Sequence, residues 1–370
     1  MNKILLIGNT GLMKKQIDGQ TSKVRLYFKK IQDEGYETEF VDLELFFKKP
    51  ISTLNKIKKG IKKCDRIVLL TSTRGCKVLI PYINLINRKY NKPFILPLIG
   101  TSVLHYSIDK LNSFEKKDFI LNKNFNYIKP KKSLIKQLKK ITYILPETDL
   151  LTDIFKEYYN LKNVVTLNNF RENLSNETTI NKNNNNNSIL KLVFVSRVCA
   201  IKGIFDLIDV ANNINEKEER VFLDIYGEKL FSDDEKTLFE NNLNKNDCIK
   251  YKGVLKNEEV IKTINNYDLL VFPTRYEGEG TPGIIAESLI GGVPVLSSSF
   301  YQYKFLLKDN YDSIIFEQFN KHDLKDKIIY IIENRDLLLK MKINALDSGK
   351  KYTYEFNRDL FLQYICGKKD

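Results

Sequence analysis

The sequence predicts an α/β protein of two doubly wound domains facing one another across a cleft. The chain has 370 residues, 42% of them hydrophobic, enough for two ordinary cores when a domain takes about 100–200 residues. Short apolar runs alternate with longer polar stretches of helix-compatible composition, the rhythm of βαβ units around a parallel sheet. That rhythm breaks once, in an asparagine-rich stretch.

In the first domain, 1–172, the strand-like runs are Ile4 to Ile7, Arg66 to Leu70, Phe94 to Leu98, Ile141 to Leu145 and Asn163 to Leu167. Residues 173–188 include five consecutive asparagines, Asn183 to Asn187. Such low complexity cannot form a core, so it reads as the interdomain linker. The second domain, 189–345, follows with runs at Leu190 to Ser196, Val221 to Tyr226, Cys248 to Lys252, Leu269 to Phe272, Val293 to Ser297 and Ser313 to Phe316. In the tail, Tyr352, Phe356, Leu360, Phe361, Tyr364 and Ile365 recur at near-helical spacing, which predicts that 346–370 is helical and packs back on the first domain.

Charge is divided unevenly. Residues 1–180 hold 33 Lys/Arg against 17 Asp/Glu, and residues 181–370 hold 27 against 29. A basic excess on one side suits nucleic acid, anionic lipid headgroups or phosphorylated substrates; biased codon usage produces the same Lys- and Asn-rich composition. Lys129, Lys131, Lys132, Lys136, Lys139 and Lys140 interleave with Leu134, Ile135, Leu138 and Ile141, the pattern of a short basic amphipathic helix. A second cluster is Lys56, Lys58, Lys59, Lys62 and Lys63. Both suit an anionic membrane surface or a solvated helix face. The five cysteines are scattered, without a CxxC pair, and read as reduced thiols. His105 and His322 are isolated, so no His/Cys zinc cluster is expected. No apolar run approaches the roughly 20 residues of a membrane span, and the four apolar residues after Lys3 are too few for a signal-peptide core. The expectation is a cytoplasmic protein, or one peripheral to the inner face of the plasma membrane.

The most informative stretch runs from Phe272 to Val295, FPTRYEGEGTPGIIAESLIGGVPV. It reads as a strand end, a glycine-rich loop, a helix with Pro282 in its first turn, and a turn into another strand. Gly278, Gly280 and Gly283 let the backbone approach a bound group, and the helix N-terminus offers N–H donors to an anion. Glu279 lies on the loop and Glu287 in the helix, eight positions later. Two carboxylates at that spacing can accept from the hydroxyls of one polyol ligand.

This stretch resembles the Glu-x7-Glu motif of retaining glycosyltransferase family 4, of GT-B fold and the bacterial surface-polysaccharide type. The resemblance covers the Pro-Gly before the helix and the Gly-x-Pro after it. It implies that Glu287 binds the ribose diol of the nucleotide and Glu279 the donor sugar, with Glu277 a competitor for the second role. It also implies that Thr281, Gly283 and Ile284 meet the nucleotide, while Gly280 and Pro282 shape the loop around sugar and phosphate.

A second element is Phe194 to Ile204, a strand, a loop and a helix. Arg197 and Lys202 there can point together at a diphosphate, and fixed cations lower the barrier to a leaving group that gains negative charge. The family has an Arg and a Lys at this spacing; Cys199-Ala200-Ile201 departs from its more polar residues. Asp224 to Glu228, with Gly227, and Tyr251 to Val254, with Gly253, resemble the turns that enclose the base, and equally read as plain βα turns. Gly8-Asn9-Thr10 and Gly19-Gln20-Thr21 follow the first strand as does the family's acceptor-side glycine loop, with Gly19 the candidate. His105 stands where some relatives place an acceptor-side histidine, and reads equally as a packed or surface residue.

No Asp-x-Asp stands at a strand end to hold a metal-nucleotide, so no metal and no cofactor are expected, and side-chain cations take the metal's part. The resemblance implies transfer of a hexosyl or N-acetylhexosaminyl group from a nucleotide-sugar, UDP-linked, to a saccharide or lipid-linked saccharide with retention, by front-side attack. The competing readings are a nucleotide-sugar epimerase of the same fold, which needs acid/base residues scarce here, and a basic module for membrane or nucleic acid. The second leaves the glutamate motif unexplained, and no nucleic-acid motif is recognisable.

Overall fold

The computed structural model describes residues 3–13, 19–99, 132–172, 189–276, 279–300 and 302–368. The chain divides into two units, Met1–Asn169 with Asn357–Asp370, and Phe170–Phe356. The expected linker, 173–188, lies outside the described residues.

In the first unit Ile4, Leu5, Leu6 and Ile7 have no exposed surface. A strand apolar at every position must be covered on both faces, the mark of a parallel sheet flanked by helices. These four form the middle of β1 (Lys3–Gly8), which pairs in parallel with β2 (Glu37–Asp42) and β3 (Arg66–Leu70). With β4 (Phe94–Pro97) and β5 (Tyr143–Leu145) the order is β2-β1-β3-β4-β5. Strand β2 is absent from the sequence reading. It is an edge strand, ETEFVD, in which Val41 alone is buried, so it carries no continuous apolar run. Asn163 to Leu167 is not a full strand but an extended segment beside β5, tied by Ile144 N to Asn163 O (2.8 Å) and Val165 N to Ile144 O (3.1 Å).

Helix α1 (Gly19–Asp33) carries Lys23 into the interior, where its ammonium donates to Leu98 O (2.8 Å) and to Glu147 Oε1 (2.5 Å). The C-terminal segment packs on the same unit. The Phe361 and Tyr27 rings lie 5.3 Å apart, and Arg358 forks onto Glu34 at 2.6 and 2.7 Å. Helices α2 (Pro50–Lys63), α3 (Thr73–Asn87) and α4 (Lys132–Leu138) adjoin in that order. Tyr82 on α3 donates to Leu54 O on α2, and Asn84 on α3 donates to Gln137 on α4. Of the expected basic helix, Lys129 and Lys131 lie outside the described residues, and Leu138 and Ile141 are buried. Its apolar stripe therefore faces the core more than a membrane.

The second unit holds a six-stranded parallel sheet: β6 (Leu190–Val195), β7 (Val221–Tyr226), β8 (Ile249–Gly253), β9 (Leu269–Phe272), β10 (Val295–Ser298) and β11 (Ser313–Phe316). Their order is β11-β10-β9-β6-β7-β8. That is the doubly wound dinucleotide-fold order, with the reversal between β6 and β9. Helices α5 (Ile204–Ile214) and α6 (Gly283–Ile290) follow β6 and β9. One buried cluster sets Leu207, Ile208 and Ala211 of α5 against Leu192, Phe194, Leu223 and Ile225; the other sets Ile285 and Leu289 of α6 against Val193, Leu270 and Phe272. Both units carry the doubly wound parallel sheet that the sequence predicts.

Candidate functional site in the second unit

Open α/β sheets bind ligands outside the carboxyl ends of their strands, where the strand order reverses. In the second unit this is the space after Val195 of β6 and Phe272 of β9. After β6 the chain makes a bridge from Val198 to Lys229, then a tight turn at Ala200–Lys202. Gly203 ends the turn with φ +76°, and a Cβ there would overlap Pro273 O. Glycine is thus needed both for the left-handed backbone and for the approach of the two strand ends. The contact is sealed by Arg275 N donating to Ile201 O at 2.9 Å.

This packing buries Lys202 to 8% exposure and sets it against Glu279, equally buried. Their side chains form an ion pair, and Thr274 Oγ1 donates to the same Glu279 Oε1 at 3.0 Å. The Lys202 ammonium also lies over the Tyr276 ring, 5.5 Å from its centre. Thr274 is fixed in turn, its carbonyl accepting from Ser298 Oγ (2.8 Å) and Gln318 Nε2 (3.0 Å). A buried ion pair is not a strong stabiliser in itself, because desolvation offsets most of the attraction. What this one provides is a cation and an anion held in place at the reversal of the sheet.

Helix α6 begins here. Its cap residue Pro282 makes no side-chain hydrogen bond to the first turn; its carbonyl accepts from Ile285 N at 3.2 Å, and among the described residues the N–H groups of Gly283 and Ile284 have no acceptor. One and a half turns on, Glu287 is paired with Arg171, Nε to Oε1 at 2.9 Å.

The structure thus gathers Lys202 and Glu279, with Thr274, into one cluster and puts Glu287 on the adjoining helix. Gly280, Thr281, Pro282, Gly283 and Ile284 make the half-buried link between the acids. Arg197 is exposed and, among the described residues, its side chain makes no hydrogen bond or ion pair, so it is not held beside Lys202. Gly227, φ +140°, is packed so tightly on Ser196 O that a Cβ would overlap it, and its N–H donates to Gly253 O at 2.8 Å; the space beside Gly253 is open. Gly19 starts α1 in the first unit with open space at its Cα. Glu277, Gly278 and His105 lie outside the described residues. Two residues escaped the sequence reading. Thr274 sits inside the quoted motif with no role given to it. Arg171 carries no local signal, since its partner is 116 positions away.

Residues 175–347 match the family model described as glycosyl transferases group 1. Among curated proteins, the chain is 28% identical over 191 residues to an uncharacterized glycosyltransferase of Methanocaldococcus jannaschii, covering 50% of this chain and 52% of that one. It is 27% identical over 231 residues to the poly(ribitol-phosphate) alpha-N-acetylglucosaminyltransferase of Staphylococcus aureus, covering 61% of this chain and 44% of that one. The chain therefore spans about half the length of the curated relatives it matches. Among solved structures, Anabaena HepE in complex with UDP superposes with a TM-score of 0.69 at 11% identity, and sucrose-phosphate synthase from Thermosynechococcus elongatus with 0.67 at 14%; both matches cover the whole of each chain. The second unit thus matches the glycosyl transferases group 1 family, and the chain has the GT-B fold of glycosyltransferases.

Proposed function

We propose that the protein transfers a hexosyl or N-acetylhexosaminyl group from a UDP-linked sugar to a saccharide acceptor, with retention and without a metal ion. The observation that carries this reading is the buried Lys202–Glu279–Thr274 cluster at the reversal of the second sheet, directly before the uncapped first turn of α6. In this reading the diphosphate lies between Lys202 and the N–H groups of α6, with the exposed Arg197 closing on it. Positive charge already in place there stabilises the negative charge that develops on the leaving group. Glu279 accepts from hydroxyls of the donor sugar, and Glu287 from the ribose diol. The acceptor hydroxyl attacks from the face the diphosphate leaves, and its proton passes to the departing phosphate oxygen. The bond to the anomeric carbon is broken and remade on one face, which gives retention.

A UDP-linked donor is supported by the neighbour HepE, solved with UDP and with UDP-glucose. A saccharide or polyol-phosphate acceptor is supported by the Staphylococcus aureus relative, whose name states transfer of N-acetylglucosamine to poly(ribitol-phosphate). We further infer a lipid-linked acceptor at the cytoplasmic membrane face, on the basic helices of the first unit. The test is incubation with UDP-, GDP- and ADP-sugars and a panel of saccharide acceptors, with the anomeric configuration of the product read by NMR. Retained product formed in EDTA supports the reading. Inverted product, turnover restored only by Mg²⁺, or epimerised nucleotide-sugar overturns it.

A further inference from the structure

Arg171 is fixed at both ends. Its backbone N–H donates to Tyr352 O at 2.7 Å and its carbonyl accepts from Tyr354 N at 2.9 Å, a short parallel bridge to Thr353. At the other end the guanidinium donates from Nη1 to Phe170 O (2.9 Å) and from Nε to Glu287 Oε1 (2.9 Å). It lies against the first turn of α6 at Gly283, where a Cβ would overlap Nη2. Gly283 has no left-handed backbone to explain it. What the missing side chain permits at this position is the guanidinium.

An ionised carboxylate offers about four lone-pair sites, and Arg171 occupies one of them on Oε1. Left alone, a glutamate spreads over many rotamers and must be ordered when ligand binds. Glu287 is instead held, at 19% side-chain exposure, with Oε2 unengaged by Arg171. We propose that Arg171 is a positioning residue that aims the Glu287 carboxylate at the two ribose hydroxyls of the donor nucleotide. This rests on the reading of Glu287 given above.

The role has a signature that a merely structural contact lacks. If Arg171 acts through the carboxylate on the diol, its loss matters only to ligands that carry both hydroxyls. Calorimetry on the full chain with UDP and with 2′-deoxy-UDP reads this directly. Wild type should prefer UDP by about tenfold, the order expected for one hydrogen bond to a charged group. In Arg171→Gln the preference should fall to about threefold or less, mainly by weaker UDP binding, and Arg171→Lys should restore part of it. Gly283→Ala should behave as Arg171→Gln does, because the new methyl displaces the flexible guanidinium rather than the backbone. Equal weakening of both nucleotides in Arg171→Gln would place Arg171 on the diphosphate or in the fold and overturn the proposal, as would unchanged binding of both. If wild type itself fails to distinguish the two nucleotides, or Glu287→Gln leaves UDP affinity intact, it is the reading of Glu287 that falls.

Discussion

Glu279 and Glu287 are the same residue type eight positions apart, yet their surroundings divide the work between them. Glu279 is buried against an ammonium and a threonine hydroxyl; Glu287 is partly open and faces a guanidinium. The first arrangement fixes a cation at the reversal of the sheet and the second leaves Oε2 outside the ion pair, which in the proposed reading serve the leaving diphosphate and the ribose diol. Removing Glu287 as Glu287→Ala should weaken nucleoside-diphosphate binding about tenfold or more, since it deletes two charge-assisted hydrogen bonds, while circular dichroism stays that of wild type. Unchanged affinity in calorimetry would remove Glu287 from the site. Lys202→Ala should lower turnover by about 10²–10³, the cost of losing one preorganised group that stabilises transition-state charge. A loss confined to KM would mean that Lys202 serves ground-state binding. Glu279 and Glu287 stand out in the sequence because loop, helix start and acid spacing lie within one short stretch, and Lys202 because it follows the strand of a second stretch, Phe194 to Ile204. Arg171 was not, because long-range ion pairs leave no periodicity and no local composition to read.

At the scale of elements, the loop between β6 and α5 joins backbone constraint to reactivity. Its turn at Ala200–Lys202 is pinned under Pro273 through Gly203, and Cys199 stands at its start, half-buried, between Arg197 and Lys202. The other four cysteines are buried. Burial pushes the thiols of Cys64 and Cys248 up to about 11 and those of Cys76 and Cys366 up to about 12. Since the thiolate is the nucleophile, those four should be inert at pH 8 in the native state, and a thiol titration should show a single fast-reacting group, Cys199. Saturating UDP should slow its alkylation if the loop borders the diphosphate. Fast reaction that nucleotide leaves untouched would separate the loop from the site. Strand β9, buried at every position, announced itself as an apolar run, and β7, whose burial alternates, and β11 also fell at their expected residues. Strand β2 did not, because an edge strand carries Glu37, Thr38 and Glu39 where a central one would carry Ile or Leu. The Asn163 to Leu167 run had the composition of a strand, but only a bridge at Val164 pairs it with β5.

At the scale of the molecule, the basic excess of the first half gains a location. Helices α2, α3 and α4 hold no aspartate or glutamate at all. Lys56, Lys58, Lys59, Lys62 and Lys63 on α2 are exposed, as are Lys132 and Lys136 on α4. The apolar stripe of α2 is spent on the core, Ile57 and Ile61 being fully buried. What the layer offers outward is lysine together with Ile51, Val78 and Leu85, at 75%, 47% and 59% exposure. Among the described residues no helix is long and apolar enough to cross a membrane. Each lysine near an anionic surface contributes about 1 kcal/mol, screened within a Debye length of about 8 Å at physiological salt. Seven such charges on one layer can hold the protein at low salt but not at high salt. The protein should therefore sediment with vesicles containing anionic lipid in dilute buffer, stay in solution with neutral vesicles, and come off the anionic ones as salt is raised. Reversing the charge of Lys56, Lys59 and Lys63 to glutamate should abolish sedimentation while leaving transfer to a water-soluble acceptor unchanged. Binding that survives both high salt and this triple variant would assign the contact to another surface, and indifference to anionic lipid in dilute buffer would leave the lysines a solvated face and the acceptor a soluble one.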